Sequence, residues 1–187
     1  MSDWSKVFAD ALPYESFLNR YATPVQRSRW DTMHARFSLT AEQETLLTGF
    51  ARRMPVICLA GAWCGDCVNQ CPAFDCFAQA SSRIDLRFLD RDANPAVRDL
   101  LMINGGQRIP VVVFLSEDWF EVARYGERTL STYRRMAVEQ LGPACPTGHV
   151  PAENDAIALV TVEWLAEFER AQLMLRLSPR LRTLHRD

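Results

Sequence analysis

Apolar positions along this chain fall into two kinds of block: short continuous or alternating runs, and longer stretches at helical spacing. Val56-Ile57-Cys58-Leu59-Ala60 is an unbroken apolar run, the pattern of a strand buried on both faces of a sheet. Ile84 to Leu89 alternates and predicts a second strand. Ile109 to Leu115 is the strongest strand signal, and Glu121 to Arg124 fits a short partner strand ended by Gly126. Thr40, with Gln43 three residues on, forms a capping box for a helix carrying Leu46, Leu47 and Phe50 up to Arg53, where Pro55 forbids continuation. Asp66 to Gln79 reads as helix despite Pro72, Asn94 to Ile103 as helix with Pro95 at its first position, and Thr129 to Gln140 as helix. The order from Thr40 is α-β-α-β-α-β-β-α, which predicts an α/β sandwich of roughly 100 residues with both parallel and antiparallel strand pairs.

The two ends carry weaker patterns. Tyr14 to Asn19 and Val25 to Phe37 are helical, with Pro13 and Pro24 as punctuation. A Pro- and Gly-rich loop, Gly142 to Pro151, leads to a long helical stretch, Glu153 to Leu177, with Ile157, Val160, Trp164, Leu165, Phe168 and Leu175 mostly at helical spacing. The Arg-rich Ser178 to Asp187 is expected to fray. The expected organisation is a helical N-terminal extension (1–39), an α/β domain (40–142), and a loop with a helical C-terminal extension packing on that domain (143–187).

Composition narrows the function classes. Apolar residues make up 48% and charged residues 24%, ordinary globular values. No apolar stretch approaches the roughly 18 residues that cross a bilayer. A net charge of −2 gives no electrostatic case for nucleic acid or anionic membranes as partners. No basic segment followed by an apolar one marks a secretory signal, so the expected setting is the reducing cytoplasm. There, clustered cysteines are more often catalytic or metal-binding than structural.

Four of the six cysteines, Cys64, Cys67, Cys71 and Cys76, fall within 13 residues. Trp63-Cys64-Gly65-Asp66-Cys67 joins a buried strand to a helix. There the first sulfur meets unpaired backbone N–H groups and the positive end of the helix dipole, both of which favour thiolate. The second sulfur lies nearly a turn deeper, close enough to close a disulfide. The expected division of labour has Cys64 attacking a substrate disulfide and Cys67 resolving the mixed disulfide. The competing chemistry is a zinc site of the form Cys-x2-Cys-x3-Cys-x4-Cys, with Cys145 or His149 in reserve. Four cysteines along one helix cannot converge on a tetrahedral ion, so no metal is expected. Cys58, Cys71 and Cys76 read as small buried packing residues, and Cys145 has no evident partner. His34, His149 and His185 lie near no motif and read as surface residues.

These motifs resemble the thioredoxin family. Trp-Cys-Gly-x-Cys after a buried strand is half of that family's pattern. The other half is a cis proline after Ile, Thr or Val, and Ile109-Pro110 fits it, 46 residues beyond Cys64. Pro72 is similar to the proline that bends the active-site helix, and Gly126 to the glycine that lines the substrate groove. The resemblance covers about Thr40 to Leu141, and Cys-Gly-Asp-Cys looks closest to a bacterial thioredoxin-like branch. It implies a three-layer sandwich with a mixed sheet and a thiol–disulfide oxidoreductase active in cell redox homeostasis. Ile109, Pro110 and Gly126 would form the substrate groove, and Trp63, as its lid, would help tune the site together with Gly65 and Asp66. No organic cofactor is implied. The implied partners are a disulfide-containing protein or small molecule and an external reductase or low-molecular-weight thiol. Two positions depart from thioredoxin: Cys58 stands where that protein keeps a buried Asp, and Asp66, expected to be exposed, where it has Pro. The alternative is a non-catalytic peptide-binding or redox-sensing module on the same fold.

Overall fold

The computed structural model describes residues 3–142 and 156–187. Among these, β1 (Met54–Ala60), β2 (Ile84–Asp90), β3 (Val111–Leu115) and β4 (Glu121–Gly126) form one mixed sheet in the order β2-β1-β3-β4. β1 runs parallel to β2 from Met54↔Ile84 to Ala60↔Asp90, antiparallel β3 flanks its other side, and β4 is antiparallel to β3. Every residue of β1 and β3 is buried, as their unbroken apolar runs predict. Pro55 lies inside β1 rather than ahead of it. β3 pairs only with Val56 to Leu59, so the missing Pro55 N–H falls where that side of β1 has no ladder partner.

The helices are α1 (Trp4–Asp10), α2 (Tyr14–Tyr21), α3 (Pro24–His34), α4 (Ala41–Thr48), α5 (Gly65–Ala80), α6 (Pro95–Leu100), α7 (Leu130–Leu141), α8 (Ala156–Leu177) and α9 (Pro179–His185). The Thr40/Gln43 capping box is present, and the Thr23/Gln26 box that opens α3 is a second one. Several boundaries differ from expectation. α1 lies within the expected helical N-terminal extension, ahead of the Tyr14 segment, and is capped by the Asp3 carboxylate on the Ser5 and Lys6 N–H groups. α4 stops at Thr48, with Gly49 as its C-cap, short of Arg53. α6 ends at Leu100 rather than Ile103. The tail does not fray: Ser178 caps α9, whose Leu181 is fully buried. The expected loop lies outside the described residues apart from Gly142, as do Cys145 and His149.

Both extensions share the central hydrophobic core. Leu12 pairs with Phe88 of β2 through N–H···O bonds of 2.9 and 2.7 Å, covering a sheet edge that would otherwise be open. Phe17 and Tyr14 stack on Phe88 at 5.5 and 5.6 Å. At the other end, Trp164 and Phe168 of α8 pack on Phe74 (4.4 and 5.9 Å), and Phe168 also meets Phe114 of β3 at 4.9 Å. Burying such rings stabilises by about 1.5–3 kcal/mol each, so the extensions supply core rather than decoration.

Candidate active site

β1 ends at Ala60, a turn follows, and α5 starts at Gly65 with Cys64 in the N-cap position. No side chain caps this end, so the first-turn N–H groups of Asp66 and Cys67 are free to face the Cys64 sulfur. Cys64 is 9% exposed and Cys67 is fully buried. The Cys64 Sγ lies 3.9 Å from the Ile109 carbonyl oxygen, and the Ile109–Pro110 peptide is cis. A Cβ on Gly126 would sit 2.5 Å from the Pro110 oxygen, so only glycine lets β4 approach this closely. Trp63 is 48% exposed beside the dithiol, and the Arg91 guanidinium stacks 4.6 Å from its ring centre. The fold therefore brings Trp63, Cys64, Cys67, Ile109, Pro110 and Gly126 to one place. Gly65 is exposed at the helix start.

The two thiols stand three residues apart at the first turn of α5, so that a charge on one is felt by the other. Burial disfavours a charge on Cys67, but hydrogen bonds from the Cys64 and Cys71 thiols and the Gly61 backbone outweigh it and pull Cys67 down to about 5. The Cys64 thiol is held well above the ordinary range by its hydrogen bond with Cys67 and by burial. The first ionisation thus belongs to the pair rather than to either sulfur. This differs from a thiolate resting on Cys64 alone, because the N-terminal N–H groups compete there with a stronger neighbour, the second thiol.

Asp66 is not the exposed carboxylate expected. It is half-buried, and Arg128 forks onto it, Nε to Oδ1 at 3.1 Å and Nη2 to Oδ2 at 2.6 Å. Arg128 also donates to Glu127 at 3.2 Å. The Glu127 carboxylate is 4% exposed and further accepts from Arg108 at 3.2 Å and the Tyr133 hydroxyl at 2.7 Å. An Asp–Arg–Glu–Arg chain thus flanks the dithiol with its charges paired.

Two tryptophans from the extensions fasten the site. Trp30 of α3, fully buried, donates Nε1–H to the Ala62 carbonyl at 2.8 Å, just ahead of Trp63. Trp164 of α8 donates to Gln70 Oε1 at 2.8 Å, while the Gln70 amide donates to the Glu127 carbonyl at 2.9 Å and the Asp66 carbonyl at 3.1 Å. None of Trp30, Gln70, Arg128 and Trp164 was legible as part of the site. The available signal was chemical: a buried indole N–H or amide needs a partner.

Among the remaining cysteines, Cys58 and Cys71 are fully buried, whereas Cys76 is only half-buried and lies 4.0 Å from His34 Nε2. His34 is not a free surface histidine, since its Nε2 also pairs with Asp75 at 2.9 Å, and His185 pairs with Glu117. Among the described residues no group of three or more His, Cys, Asp or Glu side chains is arranged to hold a metal ion. None of the described helices is long and apolar enough to cross a membrane. Beside the dithiol, α3 walls a cleft of about 340 Å³ lined by Arg29, Met33, Trp63, Gly65 and Asn69 among others.

A four-stranded mixed sheet, with a Cys-x-x-Cys pair capping a helix opposite a cis proline, defines the thioredoxin-like class of fold. A thioredoxin family model matches residues 11–139, more than half of the chain, and the protein belongs to that family. The match begins within the N-terminal extension. Two solved structures share the fold. One is a Pseudomonas aeruginosa protein of unknown function, at 18% identity and TM-score 0.71, over 91% of this chain and 99% of that one. The other is an HIV epitope-scaffold, at 18% identity and TM-score 0.68, over 90% of this chain and 99% of that one. No curated protein matches the chain.

Proposed function

We propose that this protein is a thiol–disulfide oxidoreductase whose working group is the Cys64/Cys67 dithiol. The observation that carries this reading is the arrangement of the pair: Cys64, 9% exposed, at the N-cap of α5 against the cis Ile109–Pro110 peptide, and Cys67, fully buried, three residues further in. With the proton passed to Cys67, the Cys64 thiolate attacks one sulfur of a substrate disulfide. A mixed disulfide forms, and the other substrate sulfur departs as a thiolate that takes up a proton. Cys67, having given up its proton to that first leaving group, then attacks the Cys64 sulfur, closes the Cys64–Cys67 disulfide and releases the second substrate sulfur as a thiolate, which takes a proton from water. Two electrons pass to the substrate. An external reductase or a low-molecular-weight thiol, acting in the cytoplasm, returns them.

The remaining residues follow from position. The Ile109 backbone faces the Cys64 sulfur and offers an extended substrate a hydrogen-bonding edge, with Pro110 and Gly126 as the floor of that groove. Trp63 covers one side of it. Gly65 leaves the helix start open, because a Cβ there would meet nothing, and the Asp66–Arg128 pair sets the local charge. No cofactor enters the reaction.

The test is insulin reduction by dithiothreitol together with trapping. Wild-type protein should accelerate precipitation, Cys64→Ser should not, and Cys67→Ser should accumulate mixed disulfides that a second thiol releases. Wild-type protein that leaves the rate unchanged, and a Cys67→Ser variant that traps nothing, would favour a binding or sensing module.

A further inference from the structure

The cleft beside the dithiol, about 340 Å³ in volume, has no part in the exchange steps above, yet its size falls within the range of small-molecule sites. Two helix faces build it. Gln26, Arg29 and Met33 follow at spacings of three and four along α3, and Gly65 and Asn69 stand one turn apart on α5. Trp63 and Gly65 flank Cys64 in the chain and both line the cleft, so it opens beside the outer sulfur. A Cβ on Gly65 would meet nothing within 4 Å, which leaves the space over the helix start clear. The α3 wall is pinned there by Trp30, the neighbour of Arg29, through its bond of 2.8 Å to the Ala62 carbonyl.

The charge in this cleft is unbalanced. Arg29 is the one charged side chain among the described residues that line it. It is exposed and has no hydrogen bond or ion pair with any described residue. The charges around it are committed elsewhere: Arg27 to Glu15 and Asp31, Arg91 of the Trp63 stack to Asp92, and Asp66 to Arg128. An adjoining cleft of about 210 Å³ shares Met33 and Asn69 and adds Arg36, which also has no ion pair among the described residues. Asn69 is exposed with its amide unused by the protein, while Met33 and the Trp63 ring supply apolar wall. A cation, a free amide and an apolar wall next to a nucleophilic sulfur suit a small anionic molecule that carries sulfur.

We propose that this cleft selects the substrate: it seats one half of a low-molecular-weight disulfide bearing carboxylates, with Arg29 forking onto a carboxylate and the disulfide presented to Cys64. The inference rests on the dithiol reading above and names the substrate class of the same site. A guanidinium meets a carboxylate through two parallel N–H bonds, a match that a neutral or cationic disulfide does not offer. Each turnover converts one such disulfide into two thiols; the two electrons come from Cys64 and Cys67, which end joined as a disulfide. An acidic side chain beside a protein disulfide carries the same charge, but the volume walled off by α3 fits the small molecule.

The test mixes the reduced full chain with three disulfides at neutral pH and follows the loss of protein thiol. They are glutathione disulfide, which is anionic, hydroxyethyl disulfide, which is neutral, and cystamine, which is cationic. The readout is the rate for each charged disulfide relative to the neutral one. Because Arg29 holds no other residue, its variants should fold as wild type does. Arg29→Gln should lower the glutathione disulfide ratio about two- to fivefold, the size of one solvent-exposed ion pair. Arg29→Glu should lower it further and raise the cystamine ratio, and salt should shrink the wild-type preference. Ratios that stay at wild-type values in both variants overturn the proposal. So does a loss of insulin reduction in Arg29→Gln as large as the loss on glutathione disulfide, which would assign Arg29 to protein substrates. S-methylglutathione, which has no disulfide, probes the seat without chemistry. It should shift the Trp63 indole proton resonance at concentrations about two- to fivefold lower in wild type than in Arg29→Gln, and no shift in wild type also overturns the proposal. Wild-type protein that reduces none of the three disulfides would instead sink the dithiol reading, while the S-methylglutathione titration still decides the cleft.

Discussion

The Asp66–Arg128 pair makes a sharp test of how the site manages charge. Arg128 holds the carboxylate at 2.6 and 3.1 Å and gives a further N–H to the buried Glu127. A carboxylate left unpaired beside a thiolate, taken at a separation of about 6 Å, would oppose it by roughly 0.7–3 kcal/mol for an effective dielectric between 80 and 20. The guanidinium cancels most of that. Arg128→Gln removes the cation and leaves the carboxylate, so the first ionisation of the pair should rise by roughly 0.5–2 pH units. Asp66→Asn should lower it by less, because Arg128 then turns wholly to Glu127, which absorbs part of its charge. The double variant should lie near wild type, with the non-additivity measuring the coupling. Thiolate absorbance at low ionic strength is the assay, repeated near 1 M salt, where the Debye length of about 3 Å should shrink the Arg128→Gln shift. An Arg128→Gln titration that coincides with wild type at low salt would show that water already screens Asp66, and would refute the reasoning.

Three further outcomes follow from the geometry. A Cys67 thiol lowered from 9.0 to about 5 stabilises the reduced fold in full above pH 9, and that contribution is lost as pH falls through 5. Denaturant melts of reduced wild type against Cys67→Ala should therefore diverge between those values, and parallel curves would contradict a lowered Cys67 thiol. Trp30→Phe keeps the ring but strands the Ala62 carbonyl, at about 1–3 kcal/mol, or several degrees of melting temperature for a chain of this size. It should also speed alkylation of Cys64 by loosening the turn; an unchanged melt and alkylation rate would remove Trp30 from the site. Gly126→Ala places a methyl 2.5 Å from the Pro110 oxygen, so β4 must shift and the variant should lose about 1–3 kcal/mol and most of its exchange rate; full activity would show that the Gly126 contact is dispensable.

The sheet and the dithiol were legible because their determinants are local. A buried strand writes itself as Val56 to Ala60, a cap as Thr40 and Gln43, and a close pair of thiols as two cysteines three apart at a helix start. Boundaries slipped where a single residue outweighed the pattern, as Gly49 did for α4. The Arg-rich tail misled for a related reason: one apolar residue, Leu181, anchors α9, and a pattern of arginines gives no sign of it.

What the sequence could not convey is carried by hydrogen bonds between residues far apart in the chain. Trp30 reaches Ala62 across 32 residues, Arg128 reaches Asp66 across 62, and Trp164 reaches Gln70 across 94. Each joins a side chain to a group whose need for a partner arises only after folding buries it, so no local pattern announces it. These bonds also change the status of the two helical extensions. An extension that merely covered apolar surface could be trimmed at the cost of stability alone. Here α3 fixes the turn that presents Trp63 and Cys64, and α8, through Gln70, fixes the backbone of Asp66 and Glu127 on either side of the charge chain. Removing the Trp164 indole N–H by Trp164→Phe would leave Gln70 free to rotate, and with it the two carbonyls that its amide holds. The dithiol's environment is thus assembled from the whole chain, and its redox behaviour should respond to substitutions in helices that hold none of its sulfurs.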